Sequence, residues 1–158
     1  MNSNFAIQKE KIQRKKIKDL AEQTDYIPFF PNDDFSRTDG YLIQIFTDKK
    51  YTFESKWYGD VKYPRYSNKF PNYQIDYDKL KALQEKSIED NSTPLLICFF
   101  TNELVVWNIN KCNWQSTKKQ VYTNKIGGAY GKYKEYSNQA FLNLEDAIYR
   151  NPNITPFN

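Results

Sequence analysis

Residues 39–58, DGYLIQIFTDKKYTFESKWY, hold an apolar run, a polar break and an alternating run, and their reading decides the fold. Residues 40–47 (GYLIQIFT) read as a strand, Asp48-Lys49-Lys50 as a short turn and residues 51–58 (YTFESKWY) as the return strand. Side chains two apart on a strand share a face, so Glu54 and Lys56 project together while Phe53, Ser55 and Trp57 point the other way. With Lys49-Lys50 as a two-residue turn, Glu54 falls opposite Ile45, and Asp39 shares the face of Ile45 by alternation. Asp39, Glu54 and Lys56 then lie on one side of the hairpin. That register leaves Asp39 about 20 Å along the strand from Ile45. A β-bulge, a sharp bend or a longer loop at the tip has to bring the two carboxylates together.

Outward from the hairpin, residues 3–22 read as an amphipathic helix, with Phe5, Ile12, Ile17 and Leu20 at helical spacing among lysines. Pro28 and Pro31 mark a loop before the hairpin, and residues 59–75 form an irregular stretch after it. Asp76 is placed to N-cap a helix over 77–89 that turns Leu80, Leu83 and Ile88 to the core. Two strands follow, PLLICFF at 94–100 and LVVWNIN at 104–110, the first a continuous apolar run expected of a strand buried on both faces. Residues 111–138 are polar, basic and tyrosine-rich without a clear period, and a short helix is expected over 140–150. The order α-β-β-α-β-β predicts an α/β (α+β) fold, one mixed central sheet flanked by helices. One domain is expected over 1–158, with a core at about 5–110 and a C-terminal extension at about 111–158.

Composition removes whole classes of chemistry. The 158 residues contain no histidine, which excludes Ser-His-Asp and Cys-His nucleophiles and histidine metal sites. Cys98 and Cys112 are too few for an all-cysteine zinc site or an iron–sulfur cluster, and they suit a reducing compartment. Gly127, Gly128 and Gly131 lack the spacing and the Lys-Ser/Thr ending of a phosphate loop. The longest apolar run, Leu95 to Phe100, is far short of the roughly 20 residues a membrane span needs. The Lys-rich N-terminus has no apolar stretch of the signal-peptide kind, so the cytoplasm is the expected compartment. The net charge of +4 comes mostly from lysine in a chain also rich in asparagine and tyrosine, so it pushes only modestly toward nucleic acid. Carboxylate, lysine, tyrosine and hard-metal chemistry remain.

Two carboxylates converging from neighbouring backbone segments supply hard oxygen ligands for Mg²⁺, with Mn²⁺ as a substitute, and leave room for water and a phosphate. A lysine one side chain along can orient the water or stabilise developing negative charge. Asp39, Glu54 and Lys56 together therefore fit phosphodiester hydrolysis without histidine. On a half-solvated strand, Glu54 and Lys56 would equally make an ordinary surface pair.

Asp39 before a strand, Glu54-Ser55-Lys56 on the next strand, then a helix and two more strands is the pattern of the PD-(D/E)XK nuclease superfamily. The chain resembles that superfamily from about residue 5 to residue 110. The resemblance implies that Asp39 and Glu54 bind Mg²⁺, with the Ser55 carbonyl as a further ligand, and that Lys56 assists the attacking water. Two positions depart from the pattern: Thr38 stands in place of the proline, and Ser55 takes a middle position that is usually apolar. Members often add a glutamate from the first helix. Glu10, beside Ile17 on the flank of the apolar stripe, is the better placed here and Glu22 the worse, although Glu10 is also an i,i+4 partner for Arg14. Lys79 and Gln84 are available on the second helix, where some members carry a further polar residue.

The stretch Gly59 to Tyr73 interleaves Lys62, Arg65 and Lys69 with aromatic residues directly after the candidate site. These cations could meet DNA phosphates while the aromatics stack on bases, or the aromatics could tuck onto the sheet and leave the cations in water. Residues 118–134 carry the same two readings. The sequence thus points to a Mg²⁺-dependent DNA endonuclease. A homodimer would match the two-fold pseudo-symmetry of a duplex or junction. Its alternatives are a nuclease-like fold without activity that binds DNA or protein, and an α+β domain with no nucleic-acid role.

Overall fold

The computed structural model describes residues 3–31, 38–57, 65–67, 72–114, 116–123 and 133–154. Helix α1 (Ser3–Glu22) is followed by strands β1 (Tyr26–Phe29), β2 (Gly40–Gln44), β3 (Lys50–Trp57) and β4 (Asn72–Asp76). Helix α2 (Tyr77–Glu89) leads to β5 (Thr93–Phe99), β6 (Leu104–Asn108), β7 (Ser116–Thr123), β8 (Tyr133–Asn143) and β9 (Tyr149–Asn151). The central sheet has the order β1-β2-β3-β5-β6-β9, and β4-β8-β7 form a second, smaller sheet. In the central sheet only β3 and β5 run parallel, so the sheet is mixed. Among the described residues no helix is long and apolar enough to cross a membrane.

The apolar run at 95–100 explains the layering. Leu95, Ile97 and Phe99 join Phe53 and Val106 on the face that Ile17 of α1 covers. Leu96, Cys98 and Phe100 belong to the opposite cluster, with Leu80 and Leu83 of α2 and with Tyr73, Ile75 and Leu142 of the small sheet. The strand is therefore buried on both faces, as its unbroken hydrophobicity predicts. Asp76 caps α2, its carboxylate accepting from the Asp78 N–H at 3.1 Å. Ser87 rather than Ile88 completes the buried stripe of α2; Ile88 is exposed, because it lies about 100° around the helix from Ser87.

Four expectations change. Residues 26–29, read as loop because of Pro28, form the edge strand β1, a position that tolerates a residue without an N–H. The end of the irregular 59–75 stretch is β4, and the polar 111–138 region contains β7 and the start of β8. The helix expected over 140–150 is absent. Residues 140–143 continue β8, a 3₁₀ turn spans Leu144–Asp146, and β9 pairs with β6 at the edge of the central sheet. Ala140 and Leu142 are two apart and both buried, a strand period that packing against Tyr73, Ile75 and Trp107 selects over the helical one.

The hairpin register also differs, and this difference builds the site. The turn spans Ile45–Lys49, closed by the Gln44 N–H on the Lys49 carbonyl at 2.9 Å, with Asp48 in the left-handed region at φ 56°. A two-residue Lys-Lys turn would require positive φ at residues that resist it, whereas Asp tolerates it. The longer loop slides the pairing so that Gly40 faces Phe53 and Leu42 faces Tyr51. One step further along this register, Asp39 stands across from Glu54.

Candidate active site

Asp39 sits just before β2, where the ladder with β3 ends: its N–H donates to the Phe53 carbonyl at 3.0 Å. Beyond that point β3 continues without β2 beside it, which leaves an edge. The Asp39 carboxylate caps this edge, Oδ2 accepting from the Ser55 N–H at 2.7 Å and lying 3.2 Å from Ser55 Oγ. The N–H and C=O of one strand residue point to the same side, so the Ser55 carbonyl opens toward the same edge as Asp39. Gly40 makes this approach feasible. It holds φ +154°, and a Cβ there would lie 2.3 Å from the Phe29 carbonyl oxygen and 2.9 Å from the Phe53 ring.

A cavity of about 310 Å³ opens at this place, lined by Asp39, Glu54 and Ser55, by Glu10 and Gln13 of α1, and by Lys79 of α2. Burial raises the Glu54 carboxyl from its ordinary 4.5 to about 7; the Asp39 charge adds to the rise, and Lys79 and Lys56 oppose it. Burial also holds the Lys56 ammonium below its ordinary value, Lys79 adding to this, while Cys98, Glu54 and Asp76 pull the other way. Lys56 does not line the cavity. It projects from the same face of β3 two residues beyond Glu54, on the α2 side, where Cys98 of β5 is its register partner.

The expected residues do not all meet. Asp39, Glu54 and Ser55 come together at one cavity, with Lys56 electrostatically coupled to Glu54. Glu10 reaches the rim of the same cavity while paired with Arg14 at 2.7 Å. Glu22 is exposed and lines no part of it, and Gln84 bonds Asn110 elsewhere. Lys62 and Lys69 lie outside the described residues. Arg65 is exposed and fixed by its backbone to the β5–β6 turn: its N–H donates to Thr101 Oγ1 at 2.9 Å and its carbonyl accepts from the Thr101 N–H at 3.0 Å. That turn follows the end of β5 that pairs with Trp57, so Arg65 stands at the same end of the sheet as Lys56.

Two features were not read from the sequence. Gln13 lines the cavity and accepts from Ser55 Oγ at 2.9 Å. Its signal was its place three residues from Glu10 and four from Ile17, on the face of α1 turned to the sheet. Glu103, almost fully buried, accepts from Ser67 Oγ and from Arg150 Nε at 3.0 Å, and so anchors residues 65–67 onto the sheet. The Tyr73 hydroxyl donates to the Ser67 carbonyl and tightens the same anchor.

No protein-family model matches the sequence, and no curated protein does. Among solved structures the chain is similar to Archaeoglobus fulgidus Hjc, a Holliday junction resolvase from an archaeal hyperthermophile. The TM-score is 0.48 at 6% identity, over 63% of this chain and 78% of that one. A likeness of this size bears on neither the site nor its activity.

Whether the donors suit a divalent cation is decided by their chemistry. Among the described residues no group of three acidic or cysteine side chains is close enough together to hold one metal ion by itself. Two carboxylates and a strand carbonyl at one cavity match the small protein share of a Mg²⁺ shell, which keeps several waters and takes substrate phosphate oxygens. Burial first, and then repulsion from Asp39, raises the Glu54 carboxyl, and a divalent cation between the two carboxylates would favour their charged forms. The donors fit.

Proposed function

We propose that this chain is a Mg²⁺-dependent DNA endonuclease of the PD-(D/E)XK type. The observation that supports the reading is the hairpin register, which puts Asp39 across from Glu54 where β2 ends beside β3, next to a cavity. Asp39, Glu54 and the Ser55 carbonyl would hold the cation, which when bound lowers the pKa of a water and offsets charge on the phosphate. Lys56 projects from the same face of β3 two residues beyond Glu54, and its ammonium, destabilised by burial, would orient the water or answer charge on a phosphate that extends past Glu54. Lys79 at the rim adds a second positive charge over the same cavity. Water oxygen bonds to phosphorus, one P–O ester bond breaks, and the leaving oxygen takes up a proton. Both cysteines are free thiols, in keeping with the cytoplasm as the place of action. A two-fold homodimer would let two such sites address two strands.

The reading is tested by incubating supercoiled plasmid and branched DNA with the protein and Mg²⁺ or Mn²⁺, where metal-dependent nicking is expected. The DNA partner is tested separately, in EDTA. There the association constant falls steeply with salt, and Arg65→Ala lowers the log–log slope by about 1, the signature of one lost phosphate contact. An unchanged slope removes Arg65 from the interface. A second reading, a DNA-binding module without catalysis, draws on the lack, among the described residues, of three acidic side chains grouped to hold a metal ion. It predicts the same salt dependence in EDTA and no cleavage with any metal.

A further inference from the structure

Ser55 departs from the usual apolar middle residue, and the structure gives its hydroxyl a partner on α1. Its Oγ lies 2.9 Å from Gln13 Oε1 and 3.2 Å from Asp39 Oδ2, while its N–H holds that same Oδ2 at 2.7 Å. A hydroxyl on the face that packs against a helix needs such a partner, because an unmet polar group there is costly. The hydroxyl has one proton and two acceptors in reach. When it donates to Gln13, Oδ2 keeps a lone-pair direction for another electropositive partner, and the Asp39 carboxylate stays held by the backbone N–H alone. Gln13 also lines the cavity, so the pair sits at the wall of the site itself.

We propose that Gln13 is a positioning residue of the cation site, acting through Ser55 to set the orientation and the free lone pairs of Asp39. The proposal rests on the reading of Asp39 and Glu54 as cation ligands. It treats Gln13 and Ser55 as one unit: a serine in the strand is useful only with an acceptor on the helix. Partners of this kind around a liganding carboxylate commonly change metal affinity by 10- to 100-fold when removed.

The test is Mn²⁺ titration of the full chain, followed by electron paramagnetic resonance of the free ion, which needs no turnover. Gln13→Met keeps the side-chain length without its polar end, and Ser55→Ala removes the hydroxyl. Each is expected to weaken Mn²⁺ binding by about tenfold. The double variant should be no weaker than either single one, since the pair acts as one unit. Ser55→Thr restores the hydroxyl and should restore most of the affinity. In cleavage assays the Mg²⁺ concentration needed for half-maximal rate should rise in Gln13→Met. Should one single variant fail to fold, the other reads the same pair. Wild-type affinity in both single variants, or losses that multiply in the double, would overturn the proposal and leave the cation site standing. A wild-type chain that binds no Mn²⁺ would overturn both.

Discussion

At pH 8, Glu54→Gln unfolds at a higher urea concentration than wild type, with a gain of about 2–3 kcal/mol, and it has no nuclease activity. The sign follows from the carboxyl, which is raised from 4.5 to about 7 in the folded chain, chiefly by burial. Below pH 4.5 the group is protonated in both states and contributes no penalty. Between 4.5 and 7 the unfolded chain releases its proton while the folded chain keeps it, so folding loses stability as pH rises. Above 7 the loss is complete. At 1.36 kcal/mol per pH unit it reaches about 3 kcal/mol, a net figure in which the attraction to Lys79 and Lys56 is already counted. Neutral glutamine is spared this penalty. The difference between variant and wild type should therefore shrink toward zero at pH 4. Adding Mg²⁺ at pH 8 should narrow it too, by stabilising wild type alone. A variant less stable than wild type at pH 8 would mean that Glu54 is held by a favourable pair and is not strained for function.

Gly40→Ala should be the most damaging small substitution, lowering stability by about 3–5 kcal/mol. Two independent effects add: φ +154° is a conformation L residues rarely adopt, and the new methyl would meet the Phe29 carbonyl and the Phe53 ring. Phe53 is fully buried against the α1 face and has no room to retreat. Because Gly40 adjoins Asp39, the chain that does fold should also cleave more slowly than its folded fraction accounts for. Urea unfolding beside Ile88→Ala, a change at an exposed site worth less than about 0.5 kcal/mol, checks the scale. Equal midpoints for Gly40→Ala and wild type would show that β1 and β3 do not close on this glycine.

The parts of the fold visible in the sequence are those where local chemistry and burial agree. The 95–100 run is apolar because both faces are covered, and Asp76 begins α2 because its side chain meets the Asp78 N–H. The shared face of Asp39, Glu54 and Lys56 is legible as well, but the spacing of Asp39 from Glu54 is not. Parity depends only on alternation, whereas register depends on a turn whose φ at Asp48 no apolar pattern encodes. The strand ending at Asn143 was hidden because residues 140–150 fit both periods, and the contacts of Ala140 and Leu142 with Tyr73 and Ile75 come from far along the chain. Gln13 escaped notice for a related reason. A glutamine on a lysine-rich helix looks solvated until the helix is laid over Ser55.

The most direct measurement is cleavage of plasmid and branched DNA with Mg²⁺ or Mn²⁺ by wild type, Glu54→Ala and Lys56→Ala. The account predicts cutting that requires the metal, stops in EDTA and falls by at least about 100-fold in both variants, as loss of charge stabilisation at a reacting phosphate would cause. A folded wild-type chain that leaves every DNA form intact, or cutting that persists in Glu54→Ala, would contradict it.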